Sequence, residues 1–328
     1  MLKPNLDAQY TVGVDIGGTN ITAGLVDREG KIIARSHRPA LATEGPAATL
    51  GMVKEAIREV LGQAGVALDQ VTGIGMGVPG LHRSAEGICL FSPNLAGWRN
   101  VDVVGPIRDE LGLATYMLND VKTATLGEHR FGAGRGYDHM VMITLGTGIG
   151  GGVISDGQLR LGSSEGFSEV GHMVIEVDGP LCTCGNRGCW EALAARDAII
   201  RRMIFALATG RPSRLAEAIE YDQSQITPAL VAEYAAQGDP LAAQVWEESM
   251  MYVGVGVVNL VTLYNPQVLV IGGGIAQAGD LVFAPVLRTV KARAHMVPAS
   301  SVKIVPSALG EDAAVVGGAC LVLAYLEP

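Results

Sequence analysis

One pattern occurs twice in this 328-residue chain, and the repetition limits its fold more than any other feature. Tyr10–Val14 is a short apolar run that reaches Asp15-Ile16-Gly17-Gly18-Thr19. Ile21–Val26 then reads as a second strand, and Asp27-Arg28-Glu29-Gly30 turns it into a third, Lys31–Ser36. Met140–Leu145 starts the pattern again: Gly146-Thr147-Gly148-Ile149-Gly150-Gly151-Gly152 is the turn, Val153-Ile154 the next strand, and Ser155-Asp156-Gly157 leads into another. Helix and strand material follows each copy. Leu50, Val53, Ile57, Val60 and Leu61 mark one face of a helix that stops around Gly62 and Gly65. Val71–Val78 is a glycine-interrupted strand leading to the Pro79-Gly80 turn, and Thr115–Leu118 is a buried strand closed by Asn119-Asp120, before a helix from Val121 to about Phe131. The expectation is a duplicated α/β fold with a glycine loop from each half facing a central cleft. The lobes are expected as 1–121 plus 312–328 for the small one and 122–311 for the large one.

The glycine turns suggest phosphate. Gly17-Gly18 lets the backbone approach an anion, Thr19 adds a hydroxyl, and Asp15 has the chemistry to hold a magnesium ion through water. Two glycines alone equally fit an ordinary hairpin turn. Ile271-Gly272-Gly273-Gly274-Ile275-Ala276 supplies a third glycine turn after an apolar strand, Val268–Ile271, and three such turns favour the phosphate reading. Asn94, in the loop Ser92–Trp98, offers both a donor and an acceptor, though turn chemistry accounts for it equally well. By position alone Asp120 is a helix N-cap.

Between Glu169 and Glu191 lies a second kind of site. Cys182, Cys184 and Cys189 are separated by small and turn-forming residues, and His172 stands ten residues before the first of them. Cys3His is a closed tetrahedral zinc set, so the ion would clamp the chain and not act as a Lewis acid. The readings that compete are a disulfide and buried free thiols. Glu169 and Glu191 lie just outside the donors, and His172 keeps a second ring nitrogen, so the knot offers three polar groups to one small polar molecule.

Composition narrows the partners. Net charge −9 and a pI near 5.2, with no Lys/Arg cluster, argue against nucleic acid. The five cysteines fit a reducing compartment, and the N-terminus shows no apolar core with a cleavage site, so a cytoplasmic protein is expected. Ser249–Gly279 carries no charge, but Asn259, Asn265-Pro266, Gln267 and Gly272–Gly274 interrupt it. It reads as a buried helix ending before Pro266, then a buried strand, and not as a membrane span.

With these residues in view, the chain resembles the ROK family of bacterial sugar kinases and repressors, most closely its glucokinases. Asp15-Ile-Gly-Gly-Thr looks like the family's first phosphate motif, Leu145-Gly-Thr-Gly-Ile-Gly-Gly-Gly its second, and Ile271-Gly-Gly-Gly-Ile-Ala its adenosine motif. Glu169-x-Gly-His172 and Cys182-x-Cys-Gly-x-x-Gly-Cys189-x-Glu191 resemble the signatures that set it apart from other actin-like sugar kinases. The resemblance implies a hexokinase/actin-like (ribonuclease H-like) fold with the sugar between lobes and Asp120 as catalytic base. It implies that Gly80, Asn94, Asn119, Glu169, His172 and Glu191 contact sugar. ATP with Mg2+ would use Asp15, Gly17, Gly18, Thr19, Gly146, Thr147, Gly148, Gly273 and Gly274, and Zn2+ would be structural. The expected partners are a hexose and ATP, with no nucleic acid and no membrane, in a homo-oligomer (dimer or tetramer). Asn20 stands where many family glucokinases have Lys, which leaves phosphate charge more dependent on magnesium. Three alternatives remain: a kinase for N-acetylmannosamine, N-acetylglucosamine, fructose, mannose or allose; a polyphosphate-using kinase; and a sugar-binding regulator, for whose DNA-binding domain Asp15 lies too near the N-terminus.

Overall fold

Val12, Val14 and Ile16 are wholly buried, and their alternation builds β1 (Tyr10–Ile16). It pairs antiparallel with β2 (Asn20–Asp27), which pairs antiparallel with β3 (Ile32–Pro39). Helix α1 (Pro46–Ala64) stops at Gly65, whose left-handed φ of 64° ends it, and the chain returns as β4 (Val71–Val78), parallel to β1. A small antiparallel sheet follows, made of β5 (Leu81–Arg83), β6 (Ile88–Phe91) and β7 (Arg99–Asp102). After α2 (Gly105–Leu111), strand β8 (Thr115–Asn119) joins β4 in parallel and runs directly into α3 (Asp120–Phe131). The main sheet has the order β3-β2-β1-β4-β8.

The second copy follows the same plan. Its strands are β9 (Met140–Leu145), β10 (Ile149–Ser155) and β11 (Gln158–Leu159). The helices α4 (Trp190–Ala194), α5 (Arg196–Ala208), α6 (Arg214–Ala218), α7 (Pro228–Ala236) and α8 (Pro240–Tyr264) come next. Then β12 (Val268–Gly272) packs parallel to β9, α9 (Asp280–Arg293) crosses over, and β13 (Lys303–Pro306) packs parallel to β12. The order β11-β10-β9-β12-β13 repeats the first sheet strand for strand, so the duplication expected from the sequence is real. Some boundaries shift: Ile149–Gly152 belong to β10 and not to the turn, and β1 and β3 run on to Ile16 and Pro39. A side chain at Gly151 would collide with Val170, 2.6 Å away, so the glycine lets the strand pack closely.

The uncharged stretch resolves as expected. Helix α8 ends at Tyr264, Asn265 takes the left-handed cap with φ 42°, and β12 is fully buried. Among the described residues no helix is long and apolar enough to cross a membrane.

The structure, a computed structural model, describes residues 2–324 and forms two compact units. Of the described residues, one comprises 2–138, 152–167 and 307–324, the other His139–Gly151 and Ser168–Pro306. In the first, helix α10 (Ala313–Ala324) lies backbone to backbone on the sheet. An added Cβ would fall 1.8 Å from the Val315 carbonyl at Gly13 and 1.9 Å from that of Gly318 at Gly75. No larger residue fits at either position, and the contact sets the level of β1 and β4, whose ends carry the candidate residues.

Candidate active site

In the first unit the parallel strands β1, β4 and β8 finish side by side, Asp15 beside Gly77 and Val78 beside Asn119. The carboxyl edge of a parallel sheet is where α/β folds place ligands. Asp15, the Gly17–Thr19 turn, Gly80, Asn119 and Asp120 all reach that edge. The Gly17 amide donates to the Asn20 carbonyl at 2.8 Å, which closes the turn and leaves Gly18 and Thr19 exposed. Exposed Asn94 lies against it, since a Cβ at Gly18 would sit 3.1 Å from the Asn94 carbonyl.

Asn119, not Asp120, caps α3. Its Oδ1 accepts from the Val121 and Lys122 amides at 3.1 and 3.2 Å, and its amide reaches the Gly80 carbonyl at 3.5 Å. Asn119 has the non-helical backbone of a cap (φ −56°, ψ 141°), which puts Asp120 at the first helical position. Asp15 and Asp120 face each other across Gly77, where an added Cβ would lie 3.6 Å from Asp15 Oδ1 and 3.2 Å from Asp120 Cα. Burial, and then the charge of Asp120, push the Asp15 carboxyl up to about 7. A cation placed here would relieve both effects, and Mg2+ with its oxygen preference suits the pair.

The second unit carries the knot. The donor atoms of His172, Cys182, Cys184 and Cys189 lie within 4.8 Å of one another. Cys182 Sγ is 3.7 Å from His172 Nδ1, and Cys184 Sγ is 3.7 Å from Cys189 Sγ. Tetrahedral zinc with ordinary bond lengths separates two sulfurs by about 3.8 Å and sulfur from nitrogen by about 3.6 Å. The set therefore fits Zn2+, and the disulfide alternative falls because all the cysteines are free. Burial and then the neighbouring sulfurs push the Cys189 thiol up to about 12, a cost that a dication binding three thiolates reverses. With Nδ1 directed to the knot, His172 keeps Nε2 as a donor.

Glu191 joins the knot to the second glycine turn. Its Oε2 accepts from the Ile149 amide at 3.0 Å, and its Oε1 lies 3.8 Å from Cys182 Sγ and 3.4 Å from the Thr183 hydroxyl. A side chain at Gly148 would strike the same carboxylate at 2.3 Å. Glu169 is exposed and leads the short turn Val170–His172. The third glycine turn lies against the second: Gly273 has φ 87°, and its Cβ would come 2.4 Å from the Leu145 carbonyl, just before Gly146-Thr147-Gly148. Gly274 opens the short helical turn after it.

Sequence reasoning misses Glu128. Its fully buried carboxylate accepts from the amides of Ala133, Ala308 and Leu309 at 2.7, 3.2 and 2.7 Å, fastening the end of α3 to the segment that enters α10. The available signal is an acidic residue in the last turn of a helix, where the macrodipole disfavours it.

Comparison with known proteins agrees with this architecture. The ROK family model matches residues 11–325. A glucokinase of Thermotoga maritima is 35% identical over 313 residues, which cover 95% of this chain and 96% of the relative. A xylose repressor of Bacillus subtilis is 28% identical, covering 98% of this chain and 79% of the repressor. The crystal structure of a ROK family glucokinase from Streptomyces griseus in complex with glucose and AMPPNP superposes with a TM-score of 0.82 at 32% identity, covering 95% of this chain and 98% of that one.

Proposed function

We propose, from the premise that the chain belongs to the ROK family, that it is an ATP-dependent hexose kinase with glucose as its preferred acceptor. The observation that carries this reading is the pair Asp15 and Asp120 at the carboxyl edge of the first sheet, beside a glycine turn, with the helix cap supplied by Asn119. Asp120 accepts the proton of the sugar 6-hydroxyl as that oxygen bonds to the γ-phosphorus, and the bond from the γ-phosphorus to the bridging oxygen breaks, so that ADP leaves with that oxygen on its β-phosphate. The Gly17 and Gly146 amides close their own turns on the Asn20 and Gly148 carbonyls, and the backbone amides of Gly18, Thr19, Thr147 and Gly148 take up charge on the phosphates, while the turn at Gly273-Gly274 receives the adenosine. Asp15 would hold Mg2+ brought by ATP, which would supply the phosphate neutralisation that Asn20, an uncharged residue, does not. Gly80, Asn94, Asn119, Glu169, His172 and Glu191 hydrogen-bond sugar hydroxyls. His172, Cys182, Cys184 and Cys189 would hold Zn2+ with no open position, so the ion would stiffen the segment and take no part in the chemistry.

The xylose repressor relative supports a second reading, a regulator that binds sugar without phosphorylating it. One experiment separates them. Purified chain with magnesium receives ATP or polyphosphate and, in turn, glucose, mannose, fructose, allose, N-acetylglucosamine or N-acetylmannosamine. The expected result is the highest kcat/KM with ATP and glucose. Preference for another hexose reassigns the acceptor, preference for polyphosphate overturns the donor, and sugar binding with no transfer to any hexose replaces kinase by regulator.

A further inference from the structure

Resting on the kinase reading above, we propose that Tyr252 is a positioning residue for the sugar-contacting segment, acting through Glu176 and Trp190. The stretch from His172 to Glu191 has little regular structure, since it runs from a short helical turn through bends to α4. Zinc would tie His172 to the three cysteines, but four donors from one segment do not fix where that segment stands. The Glu191 carboxylate ties one end to the Ile149 amide, and helix α8 anchors the rest at Tyr252 and Gly256.

The Tyr252 hydroxyl donates to the Glu176 carboxylate. Glu176 is in turn bound to the other arm of the segment, because its amide and that of Ile175 both donate to the Gly188 carbonyl, at 3.3 and 2.8 Å. From the same residue the Tyr252 carbonyl accepts the indole N–H of Trp190 at 2.8 Å. Trp190 stands between Cys189 and Glu191 and is wholly buried, with its ring on Gly256, where an added Cβ would lie 2.0 Å away. Gly256 is one turn along α8 from Tyr252, so one helix face receives both arms. The phenol ring is itself held. The Arg202 guanidinium of α5 lies over it, 4.8 Å from the centroid, and donates to the Ser249 hydroxyl at 3.0 Å. Glu176 and Trp190 are thus secured to a 25-residue helix on either side of the three cysteines, close in sequence to His172 and Glu191.

The test is Tyr252→Phe in the zinc-loaded full chain. It keeps the ring, the Arg202 contact and the backbone acceptor for Trp190, and removes only the hydroxyl. Three quantities are measured: release of zinc to a chromogenic chelator, glucose Kd by calorimetry, and steady-state kinetics. Zinc should leave about tenfold faster and glucose Kd and KM should rise about tenfold, the scale of one charge-assisted hydrogen bond. Turnover and the KM for ATP should stay within about twofold, since the loss is of sugar positioning. Glu176→Ala, approached from the loop side, should match Tyr252→Phe, and Glu176→Gln, which keeps an acceptor oxygen, should recover most of the loss. Zinc release and glucose affinity at wild-type values in Tyr252→Phe overturn the proposal, as does a mismatch between Tyr252→Phe and Glu176→Ala. If the wild-type chain binds no hexose, the kinase reading fails, and the zinc release rates alone decide whether Tyr252 braces the segment.

Discussion

Replacing Asp15 by Asn should make the chain's stability less sensitive to pH, and the size of the effect follows from the carboxyl's surroundings. Burial and the charge of Asp120 raise Asp15 from 3.8 to about 7. The folded form therefore holds a proton that the unfolded chain has released over most of that window. A group with a raised acidic pKa lowers stability as pH rises, because the unfolded state binds fewer protons. Between roughly pH 5 and pH 8 the wild type should lose about 3 kcal/mol relative to Asp15→Asn, from about two units at 1.36 kcal/mol each. Urea unfolding of both proteins at the two pH values measures the difference, and the subtraction removes the titrating groups that are not coupled to Asp15, leaving the Asp15–Asp120 pair. Adding magnesium chloride at the higher pH should return part of the loss if the cation settles beside Asp15. The reasoning is refuted if the gap between wild type and variant is the same at both pH values.

Two other outcomes follow from the same geometry. Cys184→Ser should lose the metal and glucose binding together, while hydrogen exchange in residues 10–39 stays as in the wild type; a zinc-free variant with full activity would remove the clamp from the account. Gly273→Val sets a branched side chain at φ 87° against the Leu145 carbonyl, and it should raise the KM for ATP several-fold more than that for sugar, with equal effects counting against an adenosine turn there.

Much of the architecture is legible in the chain because period and punctuation agree. The apolar runs at Tyr10–Val14 and Met140–Leu145 each lead into a glycine turn, and the structure makes them corresponding strands of two like-ordered sheets. The knot is legible because few residue types ligate zinc and their spacing is short. The small sheet β5-β6-β7 is not, since its strands are three or four residues long and carry Arg83, Arg99 and Asp102. Asn119 and Asp120 both cap helices well, and only the backbone angles show which one does. Glycines usually mark a break, yet Gly150–Gly152 sit inside a strand, where the neighbouring Ser168–Val170 segment leaves no room for a side chain at Gly151. The bond from Tyr252 to Glu176 spans 76 positions, and no local pattern announces it.

The central claim is that Asp120 takes the proton of the attacking hydroxyl, and Asp120→Asn tests it most directly. Because Asn119 already caps α3, the substitution removes no cap, and it also removes a charge that opposes Asp15. Folding should therefore be kept or improved above neutral pH. Glucose affinity measured by calorimetry should change by less than about threefold, while kcat should fall by roughly 10²- to 10⁴-fold, the usual share of a general base. A folded Asp120→Asn protein that binds glucose and phosphorylates it at near wild-type turnover would contradict the account.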